Sequence, residues 1–395
     1  MLVLKNILEF ITSYLQANPW GCGLLGALLL FMLHQLYFYL RYIRIGGKLT
    51  TSQHIANKPA LPGVSVVVCA HNEETNLQDY LHSLLAQDYP IFEVIVVDDG
   101  SEDDTQTILN QYTQLSPRLY YTFVPRGARL ISRKKSALTI GIKAAKYDYI
   151  LLTDADCRPE SKYWIQSMVR GFRLGDAQQP VEVVLGFGAY FKDKTWINSL
   201  IQYDTLFNGL QYLGMAIQGK PYMGVGRNLA YRRQTFIQNN GFMGMLNELA
   251  GDDDLFVNKV ATKSNTAVVV DVDSITWSEP KTSFREWIQQ KRRHLSVSPH
   301  YKLSTRFRLL LEPLSRGLFY GGVLCIWCLQ DFYSCVFALL LLLIRLVMQM
   351  CILNRAASHF GTPKFGVEIL WHDICLPLIT LWMLISNPFK ARKKW

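Results

Sequence analysis

Two groups of carboxylates carry the chemistry that this sequence offers. Asp154 and Asp156 close the apolar run in ILLTDADCRP, and Asp252, Asp253 and Asp254 follow about a hundred residues later in LAGDDDLF. A strand alternates its side chains, so Asp154 and Asp156 point one way while Ala155 points the other. Two carboxylates on one edge suit a hard divalent cation, Mg2+ or Mn2+, which prefers oxygen ligands, keeps several waters and bridges a protein carboxylate to phosphates. A nucleotide-linked substrate is the natural partner of such a site, and the later acidic cluster can supply a base. Solvated loop carboxylates would explain either group alone; the order of the two groups in the chain argues against that.

The elements that must position these acids alternate as βαβα. VSVVVCAHNEE opens with a strand from Val64 to about Ala70, LQDYLHSLLAQ is helix-like, and FEVIVVDDGSEDDT is a second strand ending in acids, with Ser101 or a neighbouring acid able to cap the next helix. The strands are continuous apolar runs, as expected of parallel strands covered on both faces. An open, Rossmann-like α/β sheet follows, with its ligand at the carboxyl ends of the strands. Ala70, Asp99 and Asp154 all fall at such ends.

Half of the residues are hydrophobic, and the mean hydropathy is slightly positive, with the excess near the two ends. The stretch from Gly21 to Tyr42 has about the twenty apolar residues that a bilayer core demands and is closed by Arg41, Arg44 and Lys48. A cleaved signal peptide fits it worse, since the apolar part is long and no small-residue cleavage site follows. The block from Leu309 to Leu353, interrupted at Gln330 and Asp331, reads as a hairpin of two spanning helices. Ile369 to Ile385, shorter and carrying His372, Asp373 and Pro377, reads as a further span or an interfacial segment. Basic residues after the first span put the middle domain in the cytoplasm, on the inner membrane. Simple alternation would then export the basic KARKKW tail, so either the last segment does not cross or the spans are miscounted. The expected division is an N-terminal membrane anchor (1–48), a catalytic α/β domain with interfacial helices (49–300) and a C-terminal transmembrane region (301–395).

The net charge of +10 crowds the membrane junctions, which suits anionic headgroups. No basic face with interleaved aromatics marks a nucleic-acid module, so no nucleic-acid partner is expected. The eight cysteines lie in apolar segments or, as Cys69 and Cys157, at strand ends, which reads as packing in a reducing compartment. Two amphipathic segments, Thr195 to Gly219 and SFREWIQQKRRHLS, could lie in the headgroup plane with Trp196, Tyr203, Phe207 and Trp287 as anchors, or equally pack against the domain's own core.

In order, AHNEE, VVDDGS, RKKSALTIGI, TDADC, GVGRN, GDDDL and QQKRRH resemble the pattern of glycosyltransferase family two, across about Pro62 to Pro299. That family is membrane-associated and inverting, has the GT-A fold and uses nucleotide-sugar donors. The resemblance makes Asp154 and Asp156 the metal and ribose-diphosphate carboxylates, Asp99 the acceptor of a hydrogen bond from the base, and Ala70, Asn72 and Glu73 the loop beside it. Lys134 matches the family lysine that reaches the nucleotide, with Lys135 a competitor and Arg133 standing where the family often has Gly. Gly226 and Asn228 belong to the segment that lets backbone approach the donor sugar.

Inversion needs a carboxylate across the sugar from the metal to take the acceptor's proton. Matching Asp254 and Leu255 to the family's closing Asp-Leu makes Asp252 that base; matching by the acidic pair makes it Asp253. Gln290, Arg293 and His294 resemble the QxxRW motif of sugar polymerases, and they are expected to contact phosphates or acceptor. His294 replaces the tryptophan that stacks on the acceptor sugar, which argues against polymer-type processivity. The reading that results is a metal-dependent hexosyltransferase taking a nucleotide sugar, with UDP favoured, to a lipid-linked or saccharide acceptor. A processive polysaccharide synthase is the alternative.

Overall fold

The computed structural model describes residue 13 and residues 17–48, 61–125, 132–175, 178–248 and 250–386, with the side chains of 41–48 left aside. The basic flank at Arg41, Arg44 and Lys48 and the KARKKW tail therefore lie outside the described side chains. In chain order the elements begin with α1 (Pro19–Lys48), β1 (Val64–Ala70), α2 (Glu74–Leu85), β2 (Phe92–Asp98), α3 (Thr105–Leu115), β3 (Leu119–Phe123), α4 (Arg133–Ala144) and β4 (Tyr149–Asp154). β5 (Cys157–Pro159), α5 (Trp164–Arg170), β6 (Val183–Leu185), β7 (Gly188–Tyr190), α6 (Trp196–Ile217), β8 (Leu229–Arg232) and α7 (Arg233–Gln238) follow. α8 (Asp254–Val260), β9 (Thr266–Val268), β10 (Thr276–Ser278) and α9 (Phe284–Leu295) precede the long helices α10 (Leu303–Leu329), α11 (Phe332–His359) and α12 (Glu368–Ile385).

The continuous apolar runs become central strands because both faces of the sheet are covered. Every residue of β1 and β2 is buried. Val67, Ile95 and Leu152 face a cluster with Ala137, Leu138 and Ile142 of α4, while Val66, Val94 and Leu151 face Leu77 and Leu81 of α2 and Trp164 of α5. Gly141 lets α4 settle on the sheet, since a Cβ there would fall 2.5 Å from Val67 Cγ1. The seven-stranded sheet has the order β3-β2-β1-β4-β8-β6-β9, and a second sheet has the order β5-β10-β7. β3, β2, β1 and β4 are parallel, whereas β8 runs against both β4 and β6. Ala70 pairs with Asp98 and Cys69 with Asp154, so the two acid-bearing strand ends and the end of β1 between them form one edge.

Among the described residues four helices, α1, α10, α11 and α12, are long and apolar enough to cross a membrane. The hairpin breaks where the polar interruption predicts: Gln330 takes a left-handed backbone with φ of 55°, and Asp331 caps α11 by accepting from Ser334 N at 2.8 Å. Of the anchors expected on the amphipathic segments, Tyr203, Phe207 and Trp287 are buried in the core, and only Trp196 is widely exposed. Packing, not headgroup anchoring, accounts for those three.

Candidate active site

The site assembles at the carboxyl edge of β1, β2 and β4. The two loops there are latched by local hydrogen bonds: His71 Nδ1 to the Asp99 carbonyl at 2.9 Å, Asn72 N to Ser101 Oγ at 2.9 Å, Glu73 N to Thr105 Oγ1 at 2.9 Å and Glu102 N to Asn72 Oδ1 at 2.8 Å. Ala70 joins them through its carbonyl, which accepts from Asp99 N at 2.8 Å. Glu73 Oε2 accepts from Asn76, and burial, opposed by that bond and reinforced by Asp156 and Asp154, pushes its carboxyl up to about 6. Asp98 braces the turn by accepting from Ser101 N at 2.9 Å.

Asp99 is fully buried. Arg133 clamps it, Nε to Oδ1 at 3.1 Å and Nη2 to its carbonyl at 2.6 Å, while Oδ2 has no partner among the described residues. Burial raises its pKa despite the arginine. A buried acid oxygen left over beside a latched loop fits an incoming donor such as a nucleobase N–H. Arg133, which departs from the resemblance's glycine, thus serves as the brace of Asp99.

Lys134, from the first turn of α4, joins the two distant acidic groups. Its Nζ lies 2.8 Å from Asp154 Oδ1 and 3.6 Å from Asp252 Oδ2. Burial opposes its charge, but Asp154 and Asp252 outweigh that and hold its pKa well above the ordinary value. The carboxylates respond in opposite directions. Burial disfavours both, yet Lys134, Arg227 and Arg293 bring Asp154 below its usual range, whereas Asp156 feels burial and Asp154 and is raised. Among the described residues no three His, Cys, Asp or Glu side chains form a complete metal cage. Asp154 and Asp156 instead offer two oxygen donors, which suits a Mg2+ or Mn2+ ion that takes its remaining ligands from phosphates and water.

The acidic triplet divides its labour. Asp253 Oδ2 accepts from Gly226 N at 2.7 Å and Oδ1 from Asp254 N at 2.8 Å, so this residue clasps the GVGRN turn to the start of α8. Burial and Asp252 raise it to about 6. Asp254 accepts from Leu255 N at 2.7 Å and from the Tyr301 hydroxyl at 2.7 Å. Among the described residues Asp252 has no such backbone duty, and it forms an ion pair with Lys134. Gly226 sits against both acids: a Cβ there would lie 3.5 Å from Asp253 Oδ2 and 3.8 Å from Asp252 Oδ2.

Two expected contacts are corrected. Lys135 is fully buried and donates to the carbonyls of Met245, Glu248 and Ala250 at 2.9, 2.6 and 2.5 Å, which uses all three of its protons to hold the loop before the triplet. Asn228, also buried, accepts from Trp164 Nε1 at 3.1 Å and donates to the carbonyls of Phe187 at 2.8 Å and Ser274 at 2.6 Å. Neither retains a group for the nucleotide or donor sugar.

Arg227 is the cation that the sequence reading passed over. It lies 4.0 Å over the Tyr190 ring and donates to the carbonyls of Ala189 and Gly188, each at 3.1 Å, so its charge is fixed beside Asp154 and Asp156. Its signal in the sequence is a cation set directly after the glycine turn in GVGRN. On α9, Gln290 donates to the Tyr190 hydroxyl at 3.2 Å, and Arg293 is close enough to act on Asp154. His294 is open to solvent on one side but hemmed in by protein elsewhere. Partial enclosure, with Arg293, Lys291, Arg227 and Lys134 around it, lowers its pKa. Ser283 caps α9 by accepting from Glu286 N, and the basic residues of its last turn complement the helix dipole.

Residues 65–238 match the description Glycosyl transferase family 2. A poly-beta-1,6-N-acetyl-D-glucosamine synthase of Staphylococcus epidermidis is 36% identical over 117 residues, 29% of this chain and 27% of that protein. The probable glycosyltransferase YdaM of Bacillus subtilis is 28% identical over 272 residues, 67% of this chain and 62% of its own. The chain thus spans about a quarter to three-fifths of the length of these relatives. In three dimensions, a mannosyltransferase from Pyrobaculum calidifontis, solved with GDP-Man and Mn2+, superposes with a TM-score of 0.55 at 18% identity over 92% of this chain and 99% of that one. Residues 65–238 therefore form a glycosyl transferase family 2 domain, built on a GT-A fold and joined to helices apolar enough to span a membrane.

Proposed function

We propose that this chain is a membrane-anchored, divalent-cation-dependent hexosyltransferase that moves one sugar, with inversion, from a nucleotide-sugar donor to a lipid-linked or membrane-embedded acceptor. The domain at 49–300 performs the transfer on the cytoplasmic face of the inner membrane. The observation that carries this reading is Lys134, whose ammonium ties Asp154 to Asp252 and so brings the metal carboxylates and the base into one site. The mannosyltransferase solved with GDP-Man and Mn2+ is a precedent for a cation in this fold.

The chain's own residues divide the work as follows. Asp99 takes a hydrogen bond from the nucleobase on its free Oδ2, with Arg133 holding the carboxylate still. Asp154 and Asp156 would hold the cation, which would supply positive charge to the leaving diphosphate. Lys134, Arg227 and Arg293 add fixed positive charge where negative charge grows on the leaving phosphate, at no cost of reorganisation. Asp252 receives the proton of the acceptor hydroxyl on the opposite face, while Asp253 and Gly226 keep the turn in place. Gln290, Tyr190 and His294 border the acceptor side.

A processive polysaccharide synthase is the second reading, favoured by the synthase relative. His294 in place of the stacking tryptophan speaks for single transfer. Incubating the purified full chain with a panel of nucleotide sugars, UDP-sugars first, and membrane lipid extract tests both. A product longer by one sugar supports the proposal, a ladder of long chains supports the second reading, and no transfer or donor hydrolysis with any donor refutes both.

A further inference from the structure

Helix α12 has the length and hydropathy of a membrane span, yet both of its halves are tied to the catalytic domain. Near its start, Asp373 Oδ1 accepts from the Tyr203 hydroxyl of α6 at 3.1 Å, and the His372 ring lies 5.2 Å from the Tyr203 ring. At its end, Ser386 Oγ accepts from Arg292 Nη2 of α9 at 2.9 Å, and the same guanidinium sits 5.0 Å over the Trp382 ring. These two anchors belong to one rigid unit, because their chain neighbours Lys291 and Asp204 are paired at 2.7 Å. Between Asp373 and Ser386 the helix rises about 20 Å. That rise is spent passing along α6 and α9, whereas a span must carry its far end about 30 Å away from the domain.

The other three helices do leave the domain. α10 and α11 meet at Gln330 and Asp331, and Gly21 at the start of α1 lies against Ser334, whose Oγ would be 2.8 Å from a Cβ there. Their opposite ends return to the domain: Tyr39 of α1 packs on Phe207 at 6.5 Å, Tyr301 before α10 donates to Asp254, and Phe360 after α11 stacks on Phe187 at 4.3 Å. The inward face of α12 is pinned to α10 and α11 partway along their length. Asp373 pairs with Arg316 of α10 at 3.0 Å and Arg345 of α11 at 2.7 Å, and it accepts from Tyr320 and Gln349 at 2.7 and 2.8 Å. Charges among apolar helices are stable only when paired in this way, so the network fixes where α12 sits.

The outward face of α12 bears Trp371, Leu378, Leu381, Trp382 and Ile385, each more than half exposed and none charged. An apolar strip of this extent belongs in lipid, with tryptophans at the headgroup level. We infer that α12 does not cross the bilayer but lies along the leaflet beside the catalytic domain, its outer face in the boundary between headgroups and acyl chains. Three helices span, and α12 ends at Ser386 on the domain's side. This removes the conflict over the basic tail, and it holds whatever the transferred sugar.

The test uses the full-length chain with a C-terminal epitope in sealed vesicles of known orientation, with digestion of the catalytic domain as the internal marker. The epitope is expected to be cleaved together with the domain; an epitope that stays protected while the domain is digested overturns the inference. A second measurement needs no digestion. Quenching by brominated lipids, compared before and after Trp371→Phe and Trp382→Phe, should place both tryptophans at one shallow depth. Depths in opposite leaflets would establish a span instead.

Discussion

Asp252→Asn isolates the proposed base. The side chain keeps its size and can still turn an oxygen toward Lys134, which now stands 3.6 Å away, so donor binding should change by less than about threefold. What disappears is the proton acceptor. Positioned general bases contribute roughly 10²–10⁴-fold, so turnover should fall by that factor, about 3–5 kcal/mol on the barrier. Asp253→Asn behaves differently. An amide can accept from only one of Gly226 N and Asp254 N, and the lost bond in a buried clasp costs about 1–3 kcal/mol of stability. Its signature is a lower melting temperature, with turnover loss following from the displaced turn. The assay is initial rate of sugar transfer at saturating donor, with nucleotide affinity measured separately by calorimetry. Asp252→Asn retaining turnover within tenfold of the parent, while a well-folded Asp253→Asn loses it, would move the base to Asp253 and refute the reasoning.

Lys134→Met should lower turnover by about 10²-fold or more, as loss of a fixed cation at a developing charge does; rates near the parent's would remove the lysine from the mechanism. Lys135→Met should act on stability instead, because three buried carbonyls lose their donor at about 1 kcal/mol or more each; a folded variant with unchanged melting but weaker nucleotide binding would restore Lys135 to the site. Burial and Asp253 raise the Asp254 carboxyl to about 8 from its ordinary 3.8. The native state therefore keeps a proton that the unfolded chain releases above pH ~4, so this stabilisation is full below that pH and is lost as pH rises toward 8. Melting temperatures from pH 5 to 8 should fall less steeply in Asp254→Asn than in the parent, and an equal slope in both would exclude Asp254 as the source.

The sheet was legible because its central strands are buried on both sides, so VSVVVC and FEVIVV declare themselves without alternation. The strand-end acids were legible for the same reason: a carboxylate that closes such a run has only the sheet's edge to occupy. Tertiary use of a polar side chain was not. Lys134 and Lys135 are neighbours of identical type, yet one turn of α4 sends the first to Asp154 and the second into three carbonyls of a loop more than a hundred residues away. Asn228 is hidden in the same manner, as its amide completes the backbone hydrogen bonding of β7 and β10's neighbourhood. Amphipathic spacing in α6 and α9 fits a membrane surface and a domain core equally, and burial of Tyr203, Phe207 and Trp287 decided for the core. Hydropathy alone gives α12 the appearance of a span; only its contacts with Tyr203 and Arg292 tell where its two halves lie.

The central claim is that Asp154 and Asp156 hold a cation for a nucleotide while Asp252, across the same site, serves the acceptor. Calorimetric titration of UDP into the full-length protein with and without Mn2+ tests it most directly, run on the parent, Asp156→Ala and Asp252→Asn. Metal-dependent binding in the parent, lost in Asp156→Ala and kept in the turnover-deficient Asp252→Asn, is the predicted result. Nucleotide binding that ignores Mn2+, or that survives intact in Asp156→Ala, would contradict the account.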